Sequence, residues 1–461
     1  MNILTDTTKY KYKLFFIIYF ILISIASFFR FPDVKNELKY FVIIDQLIEN
    51  KNYIILKYFN ELYPDKPPLY FWILLSLRKF SKDMFYPLGL IFTSILPASI
   101  TAYLGFKLSK LYWNEWMAYI STAIFITLPY IFGISLVLRM DYLMIMFIML
   151  VLYTFFKSYP KDISSINIFF IYCFIGFGIL VKGGAAFTIP LFTIIFYLYL
   201  NKDIKYLKKI RPIIGILIIL LILITWFSLI LTDINGIQYI KLILGQETIG
   251  RMIKSKAHIK PFYFYLKQLP FTLLTLTPFF SLGVLSNLNN IFKLDKWKKI
   301  DKISFSIFFP NFIFFSLLSG KLEIYLLPLY YAMIIISLRF IENKFIYSKY
   351  KIYNIILFIN IFIFLICSFS LPFYTKNYTL KPVINILKNN NNVYSYRFLD
   401  AKNISFEINK KSIEGISSDE AININKNTLI LVRNKYLNDI LEQNFQIIFQ
   451  NRKYTLLKKN S

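Results

Sequence analysis

About eleven apolar runs, each close to the length a helix needs to cross the hydrocarbon core of a bilayer, divide this chain between short lysine-bearing stretches. They fall at 14–30, 86–107, 116–135, 142–157, 166–181, 185–200, 212–232, 269–289, 303–318, 322–340 and 352–372. With 57% hydrophobic and 19% aromatic residues and a mean hydropathy of +0.54, the 461-residue chain carries more apolar surface than a water-soluble core could hide. The sequence therefore predicts an all-α polytopic membrane protein. The run Leu14 to Phe29 follows several lysines, as in a signal peptide, but lacks a small-residue cleavage site and reads as a retained first span.

The net charge of +28 is topological rather than a nucleic-acid footprint, because the lysines lie between spans. Counting Lys and Arg in the short loops predicts a cytoplasmic N-terminus. The loops at 108–115, 158–165, 201–211, 290–302 and 341–351 then share its side. Two outer loops, 31–85 and 233–268, are too long to be turns. The first predicts a helix at about 36–50 and another after Pro67 and Pro68, with Tyr70, Phe71 and Trp72 at headgroup level. The second is basic and aromatic, which suits a phosphate-bearing lipid. After residue 372 the composition turns polar. Segments "NNVYSYRF", "NISFEI", "TLILV" and "FQIIFQ" predict strands and "KYLNDILEQN" a helix, giving a transmembrane domain 1–372 and a small extracytoplasmic α/β domain 373–461.

Ionisable residues at the outer lip of the spans are the candidates for function. They are Asp33 and Glu37, four apart; Lys66; Arg139 and Asp141 in "LRMDYLM"; Lys182 in "LVKGGAA"; Glu247, Arg251 and His258 in the second loop; and Lys321 in "SGKLEIYLLP". Carboxylates can position or deprotonate an acceptor hydroxyl, and cations can stabilise a departing phosphate. The sequence has no GxxxxGK[ST] loop, no Ser-His-Asp pattern around its one histidine, His258, no His/Cys metal cluster, and cysteines only inside apolar runs. Nucleotide-driven pumping and zinc chemistry are thus set aside. Each residue also has a structural reading, such as a helix-start charge, an ion pair at a span end or a snorkelling lysine.

The stretch "DVKNELKYFVIIDQLIENKNYIILKYFNELYPDKPPLYFW", with Tyr40 after the acidic pair and "KPPLYFW" at its end, resembles the first outer loop of the polyprenyl-phosphate-dependent membrane glycosyltransferases. These are the C-type superfamily relatives of protein O-mannosyltransferases and lipid A aminoarabinose transferases. Further resemblances follow in family order: "RMDYLMIMFIML", "GILVKGGAA", "GRMIKSKAHIKPFYFYLKQLP" and "SGKLEIYLLPLYYA", the last including Tyr325. The resemblance covers residues from about 30 to 335. It implies an inverting transfer of a hexosyl or pentosyl group from an undecaprenyl or similar polyprenyl phosphate to lipid A, another glycan or a protein. Asp33, Glu37 and Asp141 would be the acidic groups, and Lys66, Lys182, Arg251 and Lys321 would hold the donor phosphate. Some relatives use a divalent metal ion, for which the sequence offers no ligand cluster. The family's adjacent Asp-Glu pair is replaced by Asn36-Glu37 with Asp33 upstream, leaving the key carboxylate open, and Gly184 stands where the family has proline. A lipid-linked sugar flippase would place charges along the span interiors, where this chain has few. A polysaccharide polymerase or ligase would share the donor type.

Overall fold

The computed structural model describes residues 2–245, 258–291, 293–390, 392–408, 413–440 and 445–459. Each of the eleven apolar runs coincides with helix. Among the described residues eight helical segments are long and apolar enough to cross a membrane, and a ninth arises if Glu115–Thr127 and Pro129–Ser135, bent by 63°, count as one. Two further apolar helices, Phe16–Ser27 and Ala185–Leu200, are shorter. The chain divides into two compact units: residues Met1–Ile23, Tyr63–Ile73 and Leu88–Leu365, and residues Ser24–Leu62, Leu74–Pro87 and Ile366–Ser461.

In the first unit the helices are apolar on nearly all sides, so hydrophobicity alone cannot select their contacts in lipid. Small residues and polar pins do so instead. The Tyr331 ring lies where a Cβ on Gly105 would fall, and its hydroxyl reaches Ser109, Ser121 and Thr122 at 3.1, 3.1 and 2.9 Å, tying Leu96–Tyr112, Glu115–Thr127 and Tyr330–Lys344 together. Tyr172 crosses Gly215, where a Cβ would stand only 2.0 Å from Cζ, and donates to the Ile210 carbonyl at 2.9 Å. Asn311 Nδ2 donates to Thr193 Oγ1 at 3.1 Å between Lys299–Leu317 and Ala185–Leu200. Pro212–Leu231, by contrast, has only 22% of its apolar window buried at a mean hydropathy of 3.1. Its outward face is built for acyl chains.

Tyr70 and Phe71 depart from the expected headgroup placement. Both are fully buried in protein, Phe71 with its ring 6.4 Å from Tyr63, because Leu69–Phe80 begins one residue after Pro68 and turns its first-turn rings inward. Only Trp72 is half-buried.

The second unit contains the helix Glu37–Glu49 and a two-residue hairpin, β1 (Lys57–Tyr58) and β2 (Glu61–Leu62), whose turn residues Phe59 and Asn60 both have positive φ. Its C-terminal part is a five-stranded sheet ordered β4-β3-β5-β7-β6, with β3 Val393–Tyr396, β4 Glu414–Ile416, β5 Leu429–Arg433, β6 Phe445–Gln450 and β7 Tyr454–Lys459. β3 runs parallel to β4 and β5, while β7 is antiparallel to β5 and β6. Strands at "VYSY", "LILVR" and "FQIIFQ" match the sequence expectation. β4 and β7 were not foreseen.

Two segments differ. "NISFEI" is helical, Leu399–Ile404 continuing into Ser405–Ile408, because a helix lets Asn403 and Phe406 act from one face. Asn403 accepts from the Tyr58 hydroxyl at 2.8 Å and donates to the Val34 carbonyl at 2.9 Å, while Phe406 packs on Phe41 at 4.8 Å. "KYLNDILEQN" forms a 3-10 turn at Asn434–Tyr436 and further turn rather than an α-helix over its described part; Leu437 and Ile440, three apart, drop into the core of the sheet domain. Residues 441–444 of that segment lie outside the described residues.

Gly215→Ala in the purified protein should overpack against Tyr172 and cost about 1–3 kcal/mol, read as a lower thermal midpoint, whereas Gly133→Ala, where a Cβ would meet nothing within 4 Å, should not lower it.

Candidate functional site

The helices Asp141–Ser158 and Ser165–Lys182 form an antiparallel hairpin of equal length, so the first residue of one and the last of the other meet at the same end. There Asp141, 2% exposed, accepts from Arg139 Nε at 3.0 Å on one carboxylate oxygen and from Lys182 Nζ on the other. The charges suit their places: an anion at a helix N-terminus and a cation at a C-terminus both oppose the helix dipole. A buried carboxylate stays ionised only with such partners. Two cations against one carboxylate leave the triad one positive charge in surplus, and Arg139 remains about one-third exposed.

The backbone holds this triad in place. The π-helical turn Ile91–Ile95 directs the buried Ser94 hydroxyl onto the Val137 carbonyl at 2.7 Å, and the Arg139 N–H donates to the same Oγ at 3.4 Å. Gly183, at φ +85°, reverses the chain directly after Lys182, a conformation that favours glycine. Gly184 sits at φ −58°, a value proline also adopts. Tyr325 lies with its ring 5.6 Å from Lys182 Nζ. Tyr130 stacks on Tyr330 at 5.3 Å and stands within electrostatic range of Asp141, Arg139 and Glu323. Tyr130 and Glu323 were missed from sequence. The signal for Glu323 was present, since it occupies the "SGKLEIY" turn two residues before Tyr325.

Lys321 belongs to a different local arrangement. It is 3% exposed, donates from Nζ to the carbonyls of Lys260, at 2.9 Å, and of Leu318, and its N–H donates to the His258 carbonyl at 3.0 Å. Burial pushes its ammonium below the usual lysine range. The side chain thus closes the end of Lys299–Leu317 and binds the returning loop, helped by the bridge between Ile259 and Gly320. His258 is exposed, with a positive φ of 61°. Lys66 follows the Pro64–Asp65 turn, half-buried. Glu247 and Arg251 lie outside the described residues.

In the second unit the acidic pair separates by environment. Glu37 is fully buried and clamped by Arg30 in a bidentate pair, NH1 to Oε1 at 2.6 Å and NH2 to Oε2 at 2.8 Å, with the Asp33 N–H donating to Oε2 at 2.6 Å. Arg30 also donates to the Tyr86 hydroxyl at 2.8 Å. Burial works against the charge of Arg30, but Glu37 overrides it and holds the guanidinium above its ordinary range. Asp33 is half-exposed; its Oδ1 accepts from the Asn36 N–H and side chain at 2.9 and 3.1 Å, and its carbonyl accepts from the Glu37 and Leu38 N–H groups, opening Glu37–Glu49. Tyr40 follows on that helix, half-buried. Arg30 was not singled out from sequence, although it lies just upstream in "RFPDVKNE". Among the described residues no three His, Cys, Asp or Glu side chains converge as metal ligands.

The family model described as dolichyl-phosphate-mannose-protein mannosyltransferase matches residues 65–228. An undecaprenyl phosphate-alpha-4-amino-4-deoxy-L-arabinose arabinosyl transferase of Proteus mirabilis is 25% identical over 353 residues, covering 74% of this chain and 61% of its own length. One from Wigglesworthia glossinidia brevipalpis is 27% identical over 356 residues, covering 74% and 60%. The chain therefore spans less than two thirds of the length of these relatives. In fold, the crystal structure of ArnT from Cupriavidus metallidurans bound to undecaprenyl phosphate matches with a TM-score of 0.73 over 97% of this chain and 98% of that one, at 11% identity. Helical architecture, ordered motifs and these matches agree in one similarity, to the polyprenyl-phosphate-dependent membrane glycosyltransferases of the C-type superfamily.

Proposed function

We propose that this protein transfers a sugar from a polyprenyl phosphate, of the undecaprenyl type, to an acceptor on the outer face of the cytoplasmic membrane. The observation that carries the reading is the Arg139–Asp141–Lys182 triad: a preorganised, cation-rich cluster at the ends of two helices, inside the segment matched by the family model. A fixed surplus of positive charge, held by buried pairing, stabilises a phosphate leaving group without reorganisation during the reaction. The relatives are named as arabinosyl transferases using an undecaprenyl phosphate-linked aminopentose, which makes that sugar class the leading specificity, with lipid A, another glycan or a protein as the acceptor.

In this reading Lys182, Arg139, Lys66 and Arg251 hold the donor phosphate, and Asp33 positions or deprotonates the acceptor. Glu37 fixes Arg30 and the start of its helix, and Lys321 fixes the second outer loop, so both act by positioning. All eleven apolar runs cross the membrane, the N-terminus faces the cytoplasm, and the site and the domain 373–461 face outward. The transmembrane domain is 1–372, with outer loops 31–85 and 233–268.

Mass spectrometry of lipid A, glycans and surface proteins from cells with and without the gene should show one sugar residue added only when it is present. In membranes supplied with donor and acceptor, Asp33→Asn and Asp141→Asn should each slow transfer by about a hundredfold or more; full activity in both would overturn the assignment. Glu37→Ala should behave differently. It strands the buried Arg30 and should lower stability by about 3 kcal/mol, seen as a reduced thermal midpoint, while a combined Arg30→Met, Glu37→Leu variant recovers much of that loss.

A further inference from the structure

At the far end of the helix that begins with Tyr330, a cavity of about 440 Å³ is lined by Trp116, Tyr350, Tyr353, Glu342 and Lys349. Glu342 lies twelve residues beyond Tyr330, about 18 Å along the helix axis, so this cavity is separate from the Asp141 cluster. The three rings stand at steep angles to one another: Trp116 to Tyr350 at 5.3 Å and 72°, Trp116 to Tyr353 at 5.9 Å and 52°, and Tyr350 to Tyr353 at 6.5 Å and 83°. Tyr353 is fully buried, and its hydroxyl donates to the Leu338 carbonyl at 3.1 Å, which fixes its ring. Trp116 and Tyr350 are 38% and 56% exposed, so the box is open on one side.

The electrostatics are specific. Arg339 is 4% exposed and is shared between two carboxylates, Asp301 at 2.6 and 2.9 Å and Glu342. One guanidinium against two carboxylates leaves a surplus negative charge, and Glu342 brings it to the cavity wall. Aromatic faces beside a carboxylate attract an ammonium group. Lys349, half-buried and 5.2 Å from the Tyr350 ring centroid, adds a cation to the same cavity. Glu342 with the Trp116 and Tyr353 rings therefore suits an amine, and Lys349 at the Tyr350 edge of the box suits a phosphate. From the cavity, the helix Lys349–Tyr378 carries an outward apolar stripe, Ile355, Phe358 and Phe362 at 48%, 71% and 56% exposure, along which an acyl chain can lie.

We infer that this cavity binds the zwitterionic headgroup of a membrane phospholipid, a phosphoethanolamine with its ammonium in the Trp116–Tyr350–Tyr353 box beside Glu342 and its phosphate at Lys349. The site is independent of sugar transfer. Native mass spectrometry of the purified full-length protein, delipidated and titrated with phosphatidylethanolamine or phosphatidylglycerol of matched chains, tests it. Phosphatidylethanolamine should bind the more tightly, and Trp116→Ala should weaken it about tenfold. Lys349→Ala, at a half-buried position outside the Arg339 pairing, should weaken it severalfold even if Glu342→Gln fails to fold. Equal binding of the two lipids, or unchanged binding in both Trp116→Ala and Lys349→Ala, would overturn the proposal. Tight binding of soluble glycerophosphoethanolamine would overturn the assignment to a lipid.

Discussion

A carboxylate withdrawn from water at a membrane lip persists as an anion only if cations reach both of its oxygens. Asp141 meets that condition through Arg139 and Lys182, and much of the local architecture follows from it. The hairpin of two equal helices brings position 182 to position 141, the π-turn at Ile91–Ile95 anchors the strand of chain leading to Arg139, and Gly183 turns the chain away so that Lys182 can point back. Removing any one of these leaves a buried charge exposed to low dielectric. The cluster is a structural one, and its surplus positive charge is a by-product of satisfying the aspartate twice.

Pairing also separates the two acidic residues of the first outer loop. Glu37 receives donors from Arg30 and from the Asp33 backbone and is closed to solvent, whereas Asp33 uses its carboxylate lightly, on Asn36, and stays half-exposed. A fully committed carboxylate makes a good hinge pin and a poor base. Lys321 does the same for cations: its ammonium donates to the carbonyls of Leu318 and Lys260 and ties a loop down. Ionisable residues at a membrane lip therefore divide by what already occupies them, and residue type alone does not reveal this.

How much was legible in the sequence varied with the range of the physics. The apolar runs were legible because crossing hydrocarbon demands about twenty consecutive apolar residues, a local property. Arg139 and Asp141, two apart, could be suspected as a pair; Lys182, forty-one residues away, could be listed but not joined to them. Tyr130 and Arg30 carried no local signal. "NISFEI" alternates well enough for a strand, yet Asn403 and Phe406 are needed together on one face, and long-range hydrogen bonds to Val34 and Tyr58 outweighed the local preference.

By itself, the sequence determined the membrane class, the place of the apolar helices, the polar C-terminal segment with its central strands, and the ordered motifs, since each depends on composition or short spacing. Tertiary structure decided which charges neutralise one another, which aromatics turn inward, as Tyr70 and Phe71 do, and which glycines exist to let a ring pass, as Gly105 and Gly215 do. Those outcomes depend on which distant helix arrives alongside, and in a bundle whose helices are apolar on every side, hydrophobic pattern cannot specify that neighbour.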